Sequence, residues 1–356
     1  MRTCRPRPWC RVHGARRLLG AVAAALIAGC AMEPLPSATE TPPLPAGMVV
    51  AQDLRGAYRA ALCMRDDMTE AQCEDTLYRF GGEQPSPRPP AADPAHFRLL
   101  FVPGFLASCF PDIHSFGDVA EVASKQGYAV QILTTEGRNG TAANARMLAD
   151  QIERVPDDGR RIIVIGHSKG AVDVLDLAAG RPDLATRIAA VLTVAGALQG
   201  SPLADHLHGL YGITFGAFPF SSCSKGDGDA VLDLQRDGRR EWWAQHGMQM
   251  RVPVYSIVSI AGLDRVSPSL YAVFAGLWHV SRYNDGMLLM PDQVASSVRL
   301  LGIVNADHLT VGIPPPEHLP WSLFFTATPF PRPQVVLAAV DVIAMEIASS
   351  PPAPSP

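Results

Sequence analysis

The chain has 356 residues, 47% hydrophobic and 18% charged, with a formal net charge of −4. That is long and apolar enough to bury a full-sized core, which excludes a disordered chain, and no period marks a repeat protein. Six arginines and no acidic residue fall in the first 29 positions, so a chain cut there moves from −4 to −10 and is a poor partner for nucleic acid.

The expectation of a cut comes from the order Arg16-Arg17, an apolar run from Leu18 to Ala28, then Gly29-Cys30. The run is shorter than the ~20 residues a spanning helix needs, so it reads as a signal peptide over residues 1–29. Ile27-Ala28-Gly29-Cys30 resembles the bacterial lipobox, which implies that Cys30 becomes the acylated N-terminus. An uncleaved short anchor and an ordinary secretory signal are the alternatives, and both also place the rest of the chain outside the cytoplasm. Two acyl chains anchor a protein stably to a bilayer. The residue after the cysteine is Ala31 and not Asp, which by the same resemblance favours the outer membrane, with either face open.

Residues 30–47, with five prolines, read as a flexible tether. Residues 48–95 read as a small helical element, with Thr69 and Gln72 spaced as a helix cap and its N3 partner, closed by a proline-rich linker. Past Cys30, four cysteines remain: Cys63, Cys73, Cys109 and Cys223. An even number in an oxidising compartment predicts disulfides, with Cys63 to Cys73 and Cys109 to Cys223 favoured among three possible pairings, and free buried thiols as the alternative.

From His96 onward apolar runs alternate with amphipathic segments, the pattern of strands and crossover helices in a mostly parallel sheet flanked by helices, an α/β fold. Strands are predicted at 97–102, 128–133, 162–165, 189–195, 252–260 and 298–304. Ile162 to Ile165 are four β-branched residues in a row, as suits a central strand buried on both faces. An amphipathic helix over 333–347 closes a domain spanning 96–348, and 349–356 reads as a disordered tail. Residues 198–250 read as an inserted cap, rich in Tyr211, Phe215, Phe218, Phe220, Trp242 and Trp243. These aromatics either line an acyl-binding surface or form the cap's own core.

Between the third strand and its helix lies Gly166-His167-Ser168-Lys169-Gly170. A Gly-x-Ser-x-Gly segment is weak evidence alone, but here it has the preceding strand and following helix that a nucleophile elbow requires. At this point the chain resembles the α/β-hydrolase family, over about residues 96 to 348, which implies the order nucleophile, acid, histidine. Asn284-Asp285-Gly286 resembles the acid-bearing segment of bacterial triacylglycerol lipases. Asn305-Ala306-Asp307-His308 follows the last strand, where those lipases carry their histidine.

The resemblance therefore implies Ser168 as nucleophile, Asp285 as acid and His308 as base, while the residues alone leave Asp264 open as the acid and His318 as the base. Asp264 reads otherwise as a loop carboxylate pairing Arg265, and Asp307 as a turn residue. The resemblance also implies an oxyanion hole from the backbone N–H groups of Lys169 and Phe105. Here the first-strand loop has Pro103-Gly104 where the lipases have His-Gly. Thr310 stands where several of them carry a calcium-binding Asp, and His206-Leu207-His208 lacks a third ligand in register, so no metal site and no cofactor are expected. The implied function is hydrolysis of a carboxylic ester, of lipid or medium chain, through an acyl-enzyme. Acyl transfer or amide cleavage by the same triad, and a non-catalytic envelope lipoprotein, are the alternatives. Protein partners are not readable.

Overall fold

A computed structural model describes residues 41–349, apart from 106, 111–112, 212–223, 316–324, 326–327 and the side chains of 207–211. Cys30, residues 350–356 of the tail and the earlier cysteines lie outside the described residues, as do Cys223, His318 and the side chains of Tyr211, Phe215, Phe218 and Phe220, whereas Ser349, read as the start of the tail, ends a helix. Among the described residues, no helix is long and apolar enough to cross a membrane.

Among the described residues seven strands form one sheet: β1 (Gln52–Asp53), β2 (Phe97–Val102), β3 (Ala129–Ile132), β4 (Arg161–His167), β5 (Ile188–Val194), β6 (Val254–Ile260) and β7 (Val298–Asn305). Their order is β1-β7-β6-β5-β4-β2-β3, and every pairing is parallel. The helices longer than one turn are α1 (Arg55–Cys63), α2 (Glu70–Thr76), α3 (Gly117–Lys125), α4 (Thr141–Glu153), α5 (Lys169–Gly180), α6 (Pro202–Tyr211), α7 (Arg236–His246), α8 (Tyr271–Trp278) and α9 (Arg332–Ser349). This is the α/β-hydrolase architecture, with the strands' carboxyl ends all on one edge.

Both faces of the sheet are covered, which is why its strands read as unbroken apolar runs. Successive side chains of a strand point to opposite faces. Leu99, Phe101, Ile163 and Ile165 join one core with residues of α1, α3 and α9. Their neighbours Leu100, Val102, Ile162 and Val164 join a second core with residues of α4 and α5.

Residues 48–95, read from sequence as a helical element with a linker, also supply the edge strand β1, which pairs with β7 through Gln52 and Asp53. Two residues are too short to show periodicity, so no sequence pattern marks this strand. The α1 side chain of Tyr58 is fully buried and its hydroxyl donates to the Val335 carbonyl of α9 at 2.9 Å. Its ring occupies the space over Gly302 of β7, where a Cβ would lie 2.5 Å away. Thr69 caps α2, accepting from the Gln72 N–H, while the Gln72 side chain takes the Thr69 N–H in return. A disulfide joins Cys63 of α1 to Cys73 of α2. Cys109 is also disulfide-bonded.

Within 198–250, α7 packs into the body of the domain. Trp243 is buried in the same core as Leu175 and Val191, and its indole N–H donates to the Leu198 carbonyl at 2.7 Å. The Arg239 guanidinium lies 4.4 Å from the Trp242 ring and 3.3 Å from Asp176 of α5. These two tryptophans hold the segment to the sheet's helical layer rather than presenting an acyl-binding surface.

Candidate active site

Three loops at the carboxyl edge of the sheet converge on Ser168. The first is the turn from β4 into α5. Ser168 has φ 53° and ψ −122°, a conformation costly for any residue with a Cβ. Two close approaches hold the turn in this shape. A Cβ on Gly166 would lie 2.6 Å from the Ala171 backbone, and one on Gly170 would lie 2.3 Å from the Pro103 carbonyl oxygen. Only glycine at both positions lets α5 pack so tightly against β4 and the β2 loop.

The second loop follows β6 and ends in Asn284-Asp285-Gly286. Gly286 has φ +91°, and the Asn284 side chain accepts its N–H at 3.0 Å. This tight turn aims the fully buried Asp285 carboxylate inward. Its Oδ1 accepts the N–H groups of Met287 and Leu288, at 2.9 and 2.7 Å, leaving Oδ2 to face the third loop. That loop follows β7 and carries His308, whose own N–H donates to the Asp285 carbonyl at 2.8 Å.

The result is a relay of short contacts. His308 Nδ1 lies 2.7 Å from Asp285 Oδ2, and His308 Nε2 lies 2.8 Å from Ser168 Oγ. Because Oδ2 is an acceptor, Nδ1 carries the proton and Nε2 offers its lone pair to the serine. A base so placed can take the Oγ proton, and the carboxylate stabilises the imidazolium that forms. Asp264 is not part of this group. Its side chain is 80% exposed and lies 3.7 Å from Arg265, a solvated loop carboxylate.

Asp307, next to His308, accepts from the Thr310 N–H at 2.7 Å and from the Ser267 N–H. It therefore shapes the histidine loop without touching the serine. The His206 Nδ1 lies 2.7 Å from the Pro202 carbonyl, within its own helix. Among the described residues no three His, Cys, Asp or Glu side chains group as metal ligands do.

Lys169 and Phe105 lie on two of the segments that meet at the serine. Lys169 opens α5, and the first amides of a helix have no partner within it. Phe105 follows Gly104, whose backbone passes so near that a Cβ there would lie 3.0 Å from the Ser168 Cβ.

Two supporting features escaped the sequence reading. His167 is buried, and its Nε2–H donates to the His308 carbonyl at 2.8 Å while the two rings lie 5.1 Å apart. Burial, reinforced by the neighbouring His308, pulls its pKa down to about 3, so it stays neutral beside the base. The buried Lys169 ammonium meets Asp173 at 2.6 Å, and Asp173 also accepts from Asn144 at 2.8 Å. Burial raises the Asp173 carboxyl to about 6, opposed by Lys169 and Asn144. The four-residue spacing of Lys169 and Asp173 on one helix was the available signal for this pair. His167 gave none, since its contact spans 141 residues of sequence.

Asp292, at the end of the acid loop, is also buried, and its Oδ2 lacks a hydrogen-bond partner among the described residues. Burial lifts its pKa to about 7, against the pull of Arg236. A folded value above the unfolded ~3.9 means that the folded state keeps a proton the unfolded chain has lost. Stability attributable to this group therefore falls as pH rises from about 4 to about 7. Asp292→Asn should remove that slope. Denaturant melts should show the variant gaining on the parent by about 3 kcal/mol more at pH 8 than at pH 4.5.

No family model matches the chain, and no curated protein does either. Among solved structures, a metagenomic carboxyl esterase superposes with a TM-score of 0.78 at 32% identity, over 92% of this chain and 99% of that one. The chain belongs to that carboxyl esterase family. The propeptide form of a Bacillus licheniformis lipase superposes with a TM-score of 0.52 at 21% identity, over 69% of this chain and 51% of that one, a likeness of fold. The esterase match runs through nearly the whole relative.

Proposed function

We propose that this esterase-family protein hydrolyses carboxylic esters through an acyl-enzyme on Ser168. The observation that carries the reading is the unbroken contact from Asp285 through His308 to Ser168 Oγ, at 2.7 and 2.8 Å. As Oγ attacks the ester carbonyl carbon, His308 Nε2 takes the hydroxyl proton and then delivers it to the departing alkoxide. The carbonyl oxygen gains negative charge in the tetrahedral intermediate, and the N–H groups of Lys169 and Phe105 are the donors for it. Water then attacks the acyl-serine, with His308 again as base, releasing the acid and regenerating the hydroxyl.

The substrate class is an ester of lipid or medium chain. We further propose that the chain is processed at Cys30 and held by acyl groups at the outer membrane of a bacterial envelope. The lipobox-like segment supports this, as does the disulfide between Cys63 and Cys73, a bond suited to an oxidising compartment.

A p-nitrophenyl ester series from acetate to palmitate, run with and without a competing alcohol, tests the reaction class. Free acid should dominate, with one chain length preferred. No turnover at any length would contradict ester hydrolysis, and products found only with the alcohol present would make the protein an acyltransferase.

A further inference from the structure

The edge of the sheet opposite Ser168 has a chemistry of its own. There the chain enters four neighbouring strands beside an arginine each: Arg161 at β4, Arg187 before β5, Arg251 before β6 and Arg299 at β7. Together with Arg160 they line a groove of about 1100 Å³ that holds one acidic residue, Asp157. Five guanidinium groups line the groove, with Asp157 within it and Asp158 and Glu346 beside it, on a chain whose net charge is −4.

Three of the five have structural partners. Arg187 donates to the carbonyls of Ile152 and Val155 at the end of α4, Arg160 pairs with Asp158 at 3.1 Å, and Arg299 pairs with Glu346 at 3.4 Å. Arg161 and Arg251 are exposed and have no ion pair among the described residues. Their charge is left for something outside the fold.

A basic groove on an acidic chain is complementary to an anionic surface. The segment leading back towards Cys30 passes the groove at Ala51 and then runs along the domain, where Leu44, Met48 and Val50 pack near Phe80 and Met290 and the Pro42 carbonyl accepts the Gly81 N–H. We propose that the arginine groove seats the domain on an anionic phospholipid surface, with Arg161 and Arg251 as the principal contacts. Basic groups near such a surface attract it within about a Debye length, and an acyl anchor keeps the domain close to that surface. Because every strand is parallel, Ser168 then faces away from the bilayer, and its ester arrives from the aqueous side. The orientation rests on the anchoring proposed above, whereas the groove's affinity for anionic lipid does not.

The test uses the chain beginning at Ala31, since the six arginines before it would bind vesicles themselves and residues 35–356 form a compact unit. Sedimentation with phosphatidylglycerol/phosphatidylcholine vesicles at low salt should pull the protein down, and pure phosphatidylcholine should not. Arg161→Gln with Arg251→Gln should weaken binding about thirtyfold, and 0.5 M salt should release the parent protein. Hydrolysis of a soluble ester should be unchanged in the double variant, which separates failure of this surface from failure of the active-site reading. Equal binding to neutral vesicles, parental binding by the double variant, or binding to an oligonucleotide but not to anionic vesicles would each overturn the proposal.

Discussion

Ser168→Ala should lower kcat by roughly 10⁴ to 10⁶ while leaving the KM for a soluble ester within a few-fold. The alanine keeps the Cβ that Gly104 packs against and removes only Oγ, so the attacking atom is lost and the walls of the site remain. A fall of about 10⁵ corresponds to ~7 kcal/mol of lost transition-state stabilisation. What survives should come from the oxyanion donors and from substrate positioning. Thermal melts should show the variant at least as stable as the parent, because it keeps the same backbone with one buried hydroxyl fewer. Retention of half the parental kcat would mean that another residue attacks.

The second large effect separates the two carboxylates that the sequence left in competition. Asp285→Asn keeps an oxygen able to accept the Met287 and Leu288 N–H groups, so the loop should stay folded. The amide nitrogen then faces His308 Nδ1 and favours the tautomer with its proton on Nε2, the atom that must accept from Ser168. A loss of about 10⁴ in kcat is expected at neutral pH. Asp264→Asn, on a side chain 80% exposed, should change kcat less than twofold. Kinetics on the two variants in parallel decide the assignment. An inactive Asp264→Asn beside an active Asp285→Asn would reverse it.

Much of this arrangement is legible in the chain itself, for identifiable reasons. The central strands are apolar on both faces because helices cover both, so β4 reads as Ile162 to Ile165 with no need of periodicity. The elbow is legible because both glycines are forced by contacts under 3 Å, and those contacts tie glycine to that exact spacing around Ser168. What could not be read depends on distance in sequence. Whether Asp285 or Asp264 meets His308 is decided by a turn at Gly286 and two backbone amides, while both carboxylates simply follow a strand.

The edge strand β1 is similarly silent, because Gln52 and Asp53 pair with β7 through backbone groups that any residues could supply. The contact of His167 with the His308 carbonyl is a further case, and so is the place of Trp243 in the core of the domain. In each, an ordinary-looking residue takes its role from a partner brought near only by folding.

The most direct measurement is to treat the whole protein with a fluorophosphonate, which phosphonylates only a serine activated as a nucleophile, and to locate the adduct by peptide mass spectrometry. The account predicts one adduct, on Ser168, formed in step with loss of ester hydrolysis and abolished by His308→Ala. Full inactivation with Ser168 unmodified, or an active enzyme that never takes the label, would contradict it.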